Sequence, residues 1–455
     1  MAEYNLTPVA VPKVETTYRS IKTKIPVPES IPIFNQLKQS EPRSMMGQPP
    51  VLWHKAEDFI VSDRWGNRWI DWSSGVLVTN AGHGHPEIKK ALHEMIDQGL
   101  LATYVFIHEK RVELTLLLQS LAPQPDNYSV FLLTTGSEAV ENCIKLSKTA
   151  ALEKFGPHKK IIVSFNNAFH GRTLGSQLAG GLEGLKKWIV DRDPTFVQVP
   201  FPDGYKNEDT SFELFLKTLQ KRGIKPENIA GVIFESYQGV GPDFLPVDYA
   251  QQLEKFCRKY DIVITADEIQ SGFGRTGKMF CYEHYGIQPD LIACGKGITS
   301  SLPLAAVIGR KEIMNLYPPG SMTSTHSASP LPVVAAVANL KLFRKSRFVE
   351  NAAAMGKILM PALEAIQQKY PDRLGCVHGL GLVAGIQVVK PGTKIPDGET
   401  ALKINVACLQ KGLLMFAPVG VGGECIKICP PLSITEEALR ESIEVLGEAV
   451  DQVLG

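Results

Sequence analysis

The stretch Ile262-Val263-Ile264-Thr265-Ala266-Asp267-Glu268-Ile269-Gln270-Ser271-Gly272-Phe273-Gly274-Arg275-Thr276-Gly277 decides how this chain is read. Four residues rich in β-branched side chains, Ile262 to Thr265, run towards two acids, and a glycine-rich basic loop follows at once. An unbroken apolar run bounded by a loop predicts a buried strand of a parallel sheet. Acids at the carboxyl end of such a strand stand where open α/β sheets bind their ligands. A buried Asp267 needs a cationic partner to stay ionised.

Two cations compete for that place. A magnesium-holding strand of a P-loop ATPase has this pattern, but it requires an upstream G-x-x-x-x-G-K-[ST] loop. The chain has none, and Gly295-Lys296-Gly297 lacks both the hydroxyl and the spacing. The other cation is a protonated pyridine nitrogen. Leu291-Ile292-Ala293-Cys294-Gly295-Lys296 is a second short apolar strand, and it ends on a lysine. A carboxylate and an amine at the ends of neighbouring strands are the two fixed points of a pyridoxal phosphate site. The lysine forms the Schiff base, and the aspartate keeps the ring nitrogen protonated so that the ring acts as an electron sink. The second cation fits.

A phosphate seat is predicted independently. The strand Val130 to Thr134 leads into Thr135-Gly136-Ser137-Glu138, which opens a helix. A helix N-terminus offers unpaired N–H groups and the positive end of its dipole. Gly136 allows close approach of the backbone and Ser137 adds a hydroxyl. The competing reading is plain N-capping by Ser137.

The ordered set Asp267 to Gly277, Gly295-Lys296-Gly297-Ile298 and Leu302-Pro303-Leu304 resembles the class III pyridoxal-phosphate aminotransferases, and the similarity runs from about Pro50 to the C-terminus. The resemblance implies an α/β protein of fold type I, with a large, mostly parallel seven-stranded domain and a smaller α+β domain. The expected division is an N-terminal arm and hairpin over 1–75 packing with the small domain, a cofactor-binding domain over 76–335, and the small C-terminal domain over 336–455. The implied reaction moves an amino group from a primary amine or amino acid to a 2-oxo acid. Lys296 carries the cofactor and shuttles a proton, Asp267 anchors the ring nitrogen, Ile269 packs beneath the ring, and Gln270 bonds its phenolic oxygen. Phe169, just before His170-Gly171, stacks on the ring, with His170 beside it among the cofactor residues. Gly136 and Ser137 hold phosphate, and Thr325 matches a threonine that reaches the phosphate of the other subunit. A homodimer, or a tetramer built from it, with interfacial active sites is therefore expected.

The resemblance also marks a substrate entrance, with Val76, Val78, Tyr104 and Phe106 as candidate walls. Glu235 matches the glutamate of a Glu-Pro-x-x-Gly motif, with Ser236 in the place of proline. Ser329 stands where an asparagine is usual. An arginine that takes the acceptor's carboxylate is replaced by Lys427, just before Pro430-Pro431-Leu432. Lysine gives a point charge without the bidentate fork. Lys427 is thus expected to pair with Glu235 in the resting site; the plainer reading is a surface lysine on a strand. An amino-acid racemase or a decarboxylating transaminase on the same fold is the alternative function. Decarboxylation ranks lower, because the glutamine that positions a scissile carboxylate falls on apolar Val76.

Composition narrows the class. The chain has 455 residues, 44% hydrophobic and 21% charged, enough for two packed domains of a globular enzyme. Lys+Arg 48 against Asp+Glu 47 leaves a charge of +1, which favours neither nucleic acid nor an anionic membrane. No apolar run approaches the roughly 18 residues of a membrane span. Eight cysteines without C-x-x-C pairs read as reduced thiols, and the absence of a secretory pattern points to the cytoplasm. Residues 1–50 are rich in proline and read as extended, either a mobile tail or an arm across a partner. Val51 to Trp72 reads as a hairpin turning near Gly66-Asn67. His83-Gly84-His85 lacks a third ligand at metal-like spacing, so no metal is expected. Ser433-x-x-Glu436 reads as a capping box opening the last helix.

Overall fold

The computed structural model describes residues 3–455, which divide into two compact units. One comprises residues 86–349, the other residues 3–85 together with 350–455. The divisions expected at 75/76 and 335/336 fall short of both. The helix Pro330–Lys345 packs on the helices Pro86–Asp97 and Glu109–Gln119, so it belongs with the sheet unit.

The unit of residues 86–349 is built on seven strands: β1 (Tyr128–Leu133), β2 (Ile161–Phe165), β3 (Phe196–Val199), β4 (Ile229–Glu235), β5 (Val263–Asp267), β6 (Leu291–Cys294) and β7 (Ala305–Arg310). Their order across the sheet is β1-β7-β6-β5-β4-β2-β3. Every pairing is parallel except those of β7, which runs against both β6 and β1. All residues of β4, β5 and β6 are buried, which is why they read as continuous apolar runs rather than alternating ones. Register sets Asp267 beside Glu235 on one side and Ala293 on the other. Two acids and the turn into Lys296 therefore meet at one edge of the sheet.

Helix α1 (Gly136–Phe155) crosses this sheet and shares two apolar clusters with it. Ala139, Cys143 and Leu146 pack with Val263, Leu291, Ala293, Ala305 and Val307, while Val140, Ile144 and Ala151 pack with Ile162, Ala230 and Ile233. Gly231 on β4 makes the crossing possible: a Cβ there would come within 2.9 Å of the Ser147 Cβ.

In the second unit the hairpin forms as expected. Ile60–Ser62 pairs antiparallel with Arg68–Asp71, and the turn is tied by the Asp63 carboxylate, which accepts from Trp65 N and Asn67 N at 2.9 Å. The mobile-tail reading fails for residues 20–27, most of which are buried. Ile21 and Ile25 are buried against Val61, Trp69, Leu409 and Leu414 of the same unit. Residues Ile31–Ser40 form a helix rather than extended chain, with Pro32 in its first turn, where the missing N–H costs nothing. The last helix, Glu436–Leu454, is capped by Thr435, whose hydroxyl accepts from Ala438 N at 3.3 Å. Ser433 is instead spent on Asp58, so the expected capping box does not form. All eight cysteines are buried, and none of them forms a disulfide. Among the described residues, no helix is long and apolar enough to cross a membrane.

The start of α1 carries a further correction. Thr135, not Ser137, is the N-cap: its hydroxyl accepts from Glu138 N at 3.3 Å, and Glu138 Oε2 accepts from Thr135 N at 3.0 Å. Thr135→Ala breaks this box and should lower the stability of the cofactor-free protein by about 1 kcal/mol. Thermal unfolding of the two proteins measures it, and an unchanged midpoint would show that the box contributes nothing.

Candidate functional site

A cavity of about 170 Å³ opens at the carboxyl ends of β4, β5 and β6. It is lined by Thr135, Gly136, Ser137, Phe169, His170, Gly171, Glu235, Asp267, Ile269, Gln270 and Lys296. The strands bring Glu235, Asp267 and Lys296 there by register. The β2 strand delivers Phe169 and His170, and α1 delivers its N-terminus.

The two acids that end β5 do different work. Asp267 is buried and faces the cavity; its Oδ2 lies 2.8 Å from His170 Nδ1, and its Oδ1 accepts from Ile269 N at 3.1 Å. Glu268 points the other way and is saturated. It accepts from Cys281 N and Tyr282 N at 2.9 Å each, from Ser271 Oγ at 2.7 Å, and from Ser236 Oγ. Ser236, which replaces the proline of the related motif, thereby ties the end of β4 to the loop after β5. Four donors on one carboxylate make Glu268 an anchor for that loop.

His170 is fully buried. Burial alone would lower the imidazole's pKa, but the bond to Asp267 and the charges of Asp267 and Glu235 outweigh it and raise the value. Its Nε2 has no hydrogen-bond partner among the described residues. The Lys296 amine likewise makes no hydrogen bond among the described residues. Burial pushes that amine below the ordinary lysine value, against the attraction of Asp267 and Glu235. A lysine of lowered pKa holds more of the neutral, nucleophilic form. The backbone at Lys296 has φ 44°, an uncommon conformation for a residue with a side chain. Asn339 braces the turn that follows: its Nδ2 donates to Gly297 O at 2.9 Å and Ile298 O at 3.0 Å, and its Oδ1 accepts from Ser300 Oγ.

Thr135 and Glu138 supply the capping bonds, which leaves Gly136 N and Ser137 N without an acceptor among the described residues. Ser137 Oγ accepts from Arg172 N at 3.3 Å. Ile269 is wedged between two glycines. A Cβ on Gly136 would meet its Cδ1 at 2.9 Å, and one on Gly295 would meet its Cγ2 at 3.2 Å. Phe169 is half-buried, with the Arg172 guanidinium 5.6 Å from its ring centre. Gln270 packs tightly on Gly239, where any side chain would collide with its amide. The Glu235 carboxylate is held by Phe169 N and Gly239 N, both at 2.9 Å, and burial raises its pKa to about 7.

These residues fit pyridoxal phosphate. An unpartnered amine, an acid backed by a histidine, apolar side chains for a flat ring, and a helix mouth with two open amides are the donor set it requires. The matching family model is that of the class-III aminotransferases, and it covers residues 43–450.

The chain belongs to this family.

Its members are pyridoxal-phosphate enzymes of fold type I, and the mixed seven-stranded sheet with a smaller unit is that fold. This class-III chain is 31% identical to a 4-aminobutyrate aminotransferase of Mycobacterium leprae over 94% of its length and 97% of that protein's. It is 30% identical to an alanine/serine racemase of Pyrococcus horikoshii, over 87% of its length and 84% of that protein's. A crystal structure of a Bacillus anthracis aminotransferase superposes with a TM-score of 0.84 at 27% identity, covering 93% of this chain and 99% of that one.

Other residues singled out in the sequence do not line this cavity. Thr325, Tyr104 and Phe106 lie on exposed loops of the same unit, Phe106 with 77% of its surface free. Val76, Val78 and Lys427 belong to the other unit. Lys427 is buried, 2% exposed, on the strand Cys425–Ile428, so it is not a surface lysine. Val76 is 43% exposed on a turn in which Ser74, Gly75, Val76 and Leu77 all have positive φ, a single left-handed helical turn. Ser74 Oγ fixes it by donating to Cys429 O at 2.6 Å, and Ser73 Oγ by donating to Asp71 at 2.6 Å. Asp71 also holds His83 Nε2 at 2.7 Å, which gives that histidine a structural role. Thr135, Gly171 and Asn339 went unread in the sequence. Of these only Thr135, three residues before Glu138, carried a legible signal, the capping-box spacing.

The raised Glu235 gives a pH test. Its folded value of about 7 lies above the ordinary 4.5, so its contribution to stability is full below pH 4.5 and is lost as pH rises through 7. His170, also raised, acts with the same sign. Unfolding midpoints of the cofactor-free protein should fall across that window, and Glu235→Gln should flatten the fall. Parallel profiles for the two proteins would overturn the assignment.

Proposed function

We propose that this enzyme is an aminotransferase that moves an amino group from a primary amine or amino acid to a 2-oxo acid, using pyridoxal phosphate held in the cavity at the ends of β4 to β6. The observation that carries the reading is the meeting, in one cavity, of an uncommitted buried lysine, a buried aspartate and an open helix N-terminus. Bound there, the cofactor supplies an electron-withdrawing ring that stabilises negative charge on the carbon next to the substrate nitrogen.

The chain's own residues do the rest. Asp267, 2.8 Å from His170, holds the proton on the ring nitrogen. Ile269 and Phe169 exclude water from the ring faces, and Gln270 takes its phenolic oxygen. The amides of Gly136 and Ser137, with the Ser137 hydroxyl, bind phosphate. Lys296 Nζ anchors the cofactor and, once released, takes the proton from the substrate carbon; its lowered pKa suits a base. Val76, Val78, Tyr104 and Phe106 are assigned to the substrate entrance. The exposure of Thr325 and Phe106, away from the cavity of their own chain, supports a homodimer in which each copy completes the other's site. Lys427 is assigned to the acceptor's carboxylate, with Glu235 as the acid that balances it.

The second reading is racemisation, favoured by the 30% identity to the alanine/serine racemase. The two differ in whether nitrogen leaves the substrate. A panel of amines and amino acids, given with and without a 2-oxo acid, decides between them. Transfer yields a new amino acid only when the acceptor is present, whereas racemisation inverts the substrate without one.

Borohydride treatment of the cofactor-loaded protein should fix the cofactor's mass on the peptide containing Lys296, and Lys296→Ala should abolish turnover. Mass on any other lysine, or an active Lys296→Ala protein, would refute the assignment. For the acceptor side, Lys427→Arg restores a two-pronged donor and should lower the 2-oxo acid KM, while Lys427→Ala should raise it by about tenfold or more. The amine half-reaction should change less in both. Unaltered acceptor kinetics in the two variants would place carboxylate recognition elsewhere.

A further inference from the structure

Two exposed loops of the sheet unit are fastened to each other. The first, residues 100–108, turns at Thr103–Phe106, where Phe106 N donates to Thr103 O at 3.0 Å and Tyr104 has φ 52°. Arg111 holds the turn from below by donating to Val105 O at 2.6 Å. The second loop, residues 318–329, carries Thr325. Ser324 and Ser327 cross-bond within it, Ser324 N donating to Ser327 Oγ at 3.0 Å and Ser327 N to Ser324 O at 3.1 Å.

Between the loops the Tyr104 hydroxyl lies 2.9 Å from the Thr323 hydroxyl. Thr323 donates its own proton to Gly320 O at 3.3 Å, so Tyr104 is the donor and Thr323 the acceptor. A second tie joins the His108 ring to Ala328 O at 3.4 Å. Thr325 lies between these two fastenings, and its hydroxyl makes no hydrogen bond among the described residues. Left-handed backbone at a tyrosine is costly and persists only where the surroundings demand it. Here the turn directs the hydroxyl at the neighbouring loop.

We infer that Tyr104 is a positioning residue for the cofactor's phosphate: its hydroxyl holds Thr323, and so fixes the segment that presents Thr325. This rests on the proposed role of Thr325 and gives Tyr104 a task beyond the substrate entrance. Loss of the bond leaves Thr325 present but poorly placed. The effect should fall on ligands that carry a phosphate and spare those that do not.

The test uses the full-length protein stripped of cofactor and titrated with pyridoxal 5′-phosphate and with pyridoxal, following absorbance. Tyr104→Phe should reduce the preference for the phosphorylated form by about three- to tenfold, the range of one neutral hydrogen bond. Thr323→Val should do the same, and the double variant should be no worse than either single one. Leu101→Ala, an exposed position on the same loop but outside the bond, should leave the preference unchanged. If Tyr104→Phe weakens both ligands equally, or neither, the inference is overturned. Thr325→Ala separates the two levels. Should it leave the preference unchanged, the phosphate role of Thr325 falls and the inference with it. Should it lower the preference while Tyr104→Phe does not, only the inference fails.

Discussion

A negative charge buried at the end of a strand is the constraint on which this structure depends. Withdrawing a carboxylate from water costs several kcal/mol unless donors or a cation replace the lost hydration. The chain does this twice in succession, and the two solutions differ. Glu268 is surrounded by four donors and is finished; nothing further is asked of it. Asp267 has one backbone amide and one histidine, and it still faces open space. The difference between an anchor and a reactive group here is the number of donors the fold supplies.

That constraint organises its neighbours. The parallel register of β4 and β5 places Glu235 beside Asp267, and two like charges that close favour a proton on one of them. Glu235 is the one that yields, with its pKa raised to about 7 chiefly by burial. The capping of α1 is part of the same arrangement. With Thr135 and Glu138 satisfying each other, the next two amides remain available at the cavity. Had Ser137 been the cap, its hydroxyl would have been spent on the helix.

Much of this was legible from residue order because parallel strands write themselves plainly. Apolar runs ending on Asp267 and Lys296 located the carboxyl end of the sheet, and Gly136 marked close approach of backbone. What stayed hidden was long-range. Asn339 reaches the turn after Lys296 from some forty residues away in sequence, on a helix whose pattern says only that it is buried. Ser236 read only as a substitute for proline; in space its hydroxyl finds Glu268. Ser433 had the spacing of a cap but met Asp58 first, and Thr435 took over. In each case a polar side chain chose between a local and a distant partner, and sequence spacing reports only the local one. The positive φ values at Lys296 and Tyr104 have no sequence signature, since neither residue favours them.

The left-handed turn at Ser74–Leu77 separates the residue on display from the residues that hold the display. Its shape is set by Asp71, Ser73, Ser74 and the Cys429 carbonyl, all behind the turn, while Val76 projects from it. The backbone cost at 76 is greatest for a β-branched residue such as the native valine, smaller for asparagine or aspartate, and absent for glycine. Exchange at that one position therefore alters what the turn shows without altering how it stands. A lineage can sample side chains there one at a time, with the scaffold as a fixed mount, and selection on the displayed group need not carry a folding penalty.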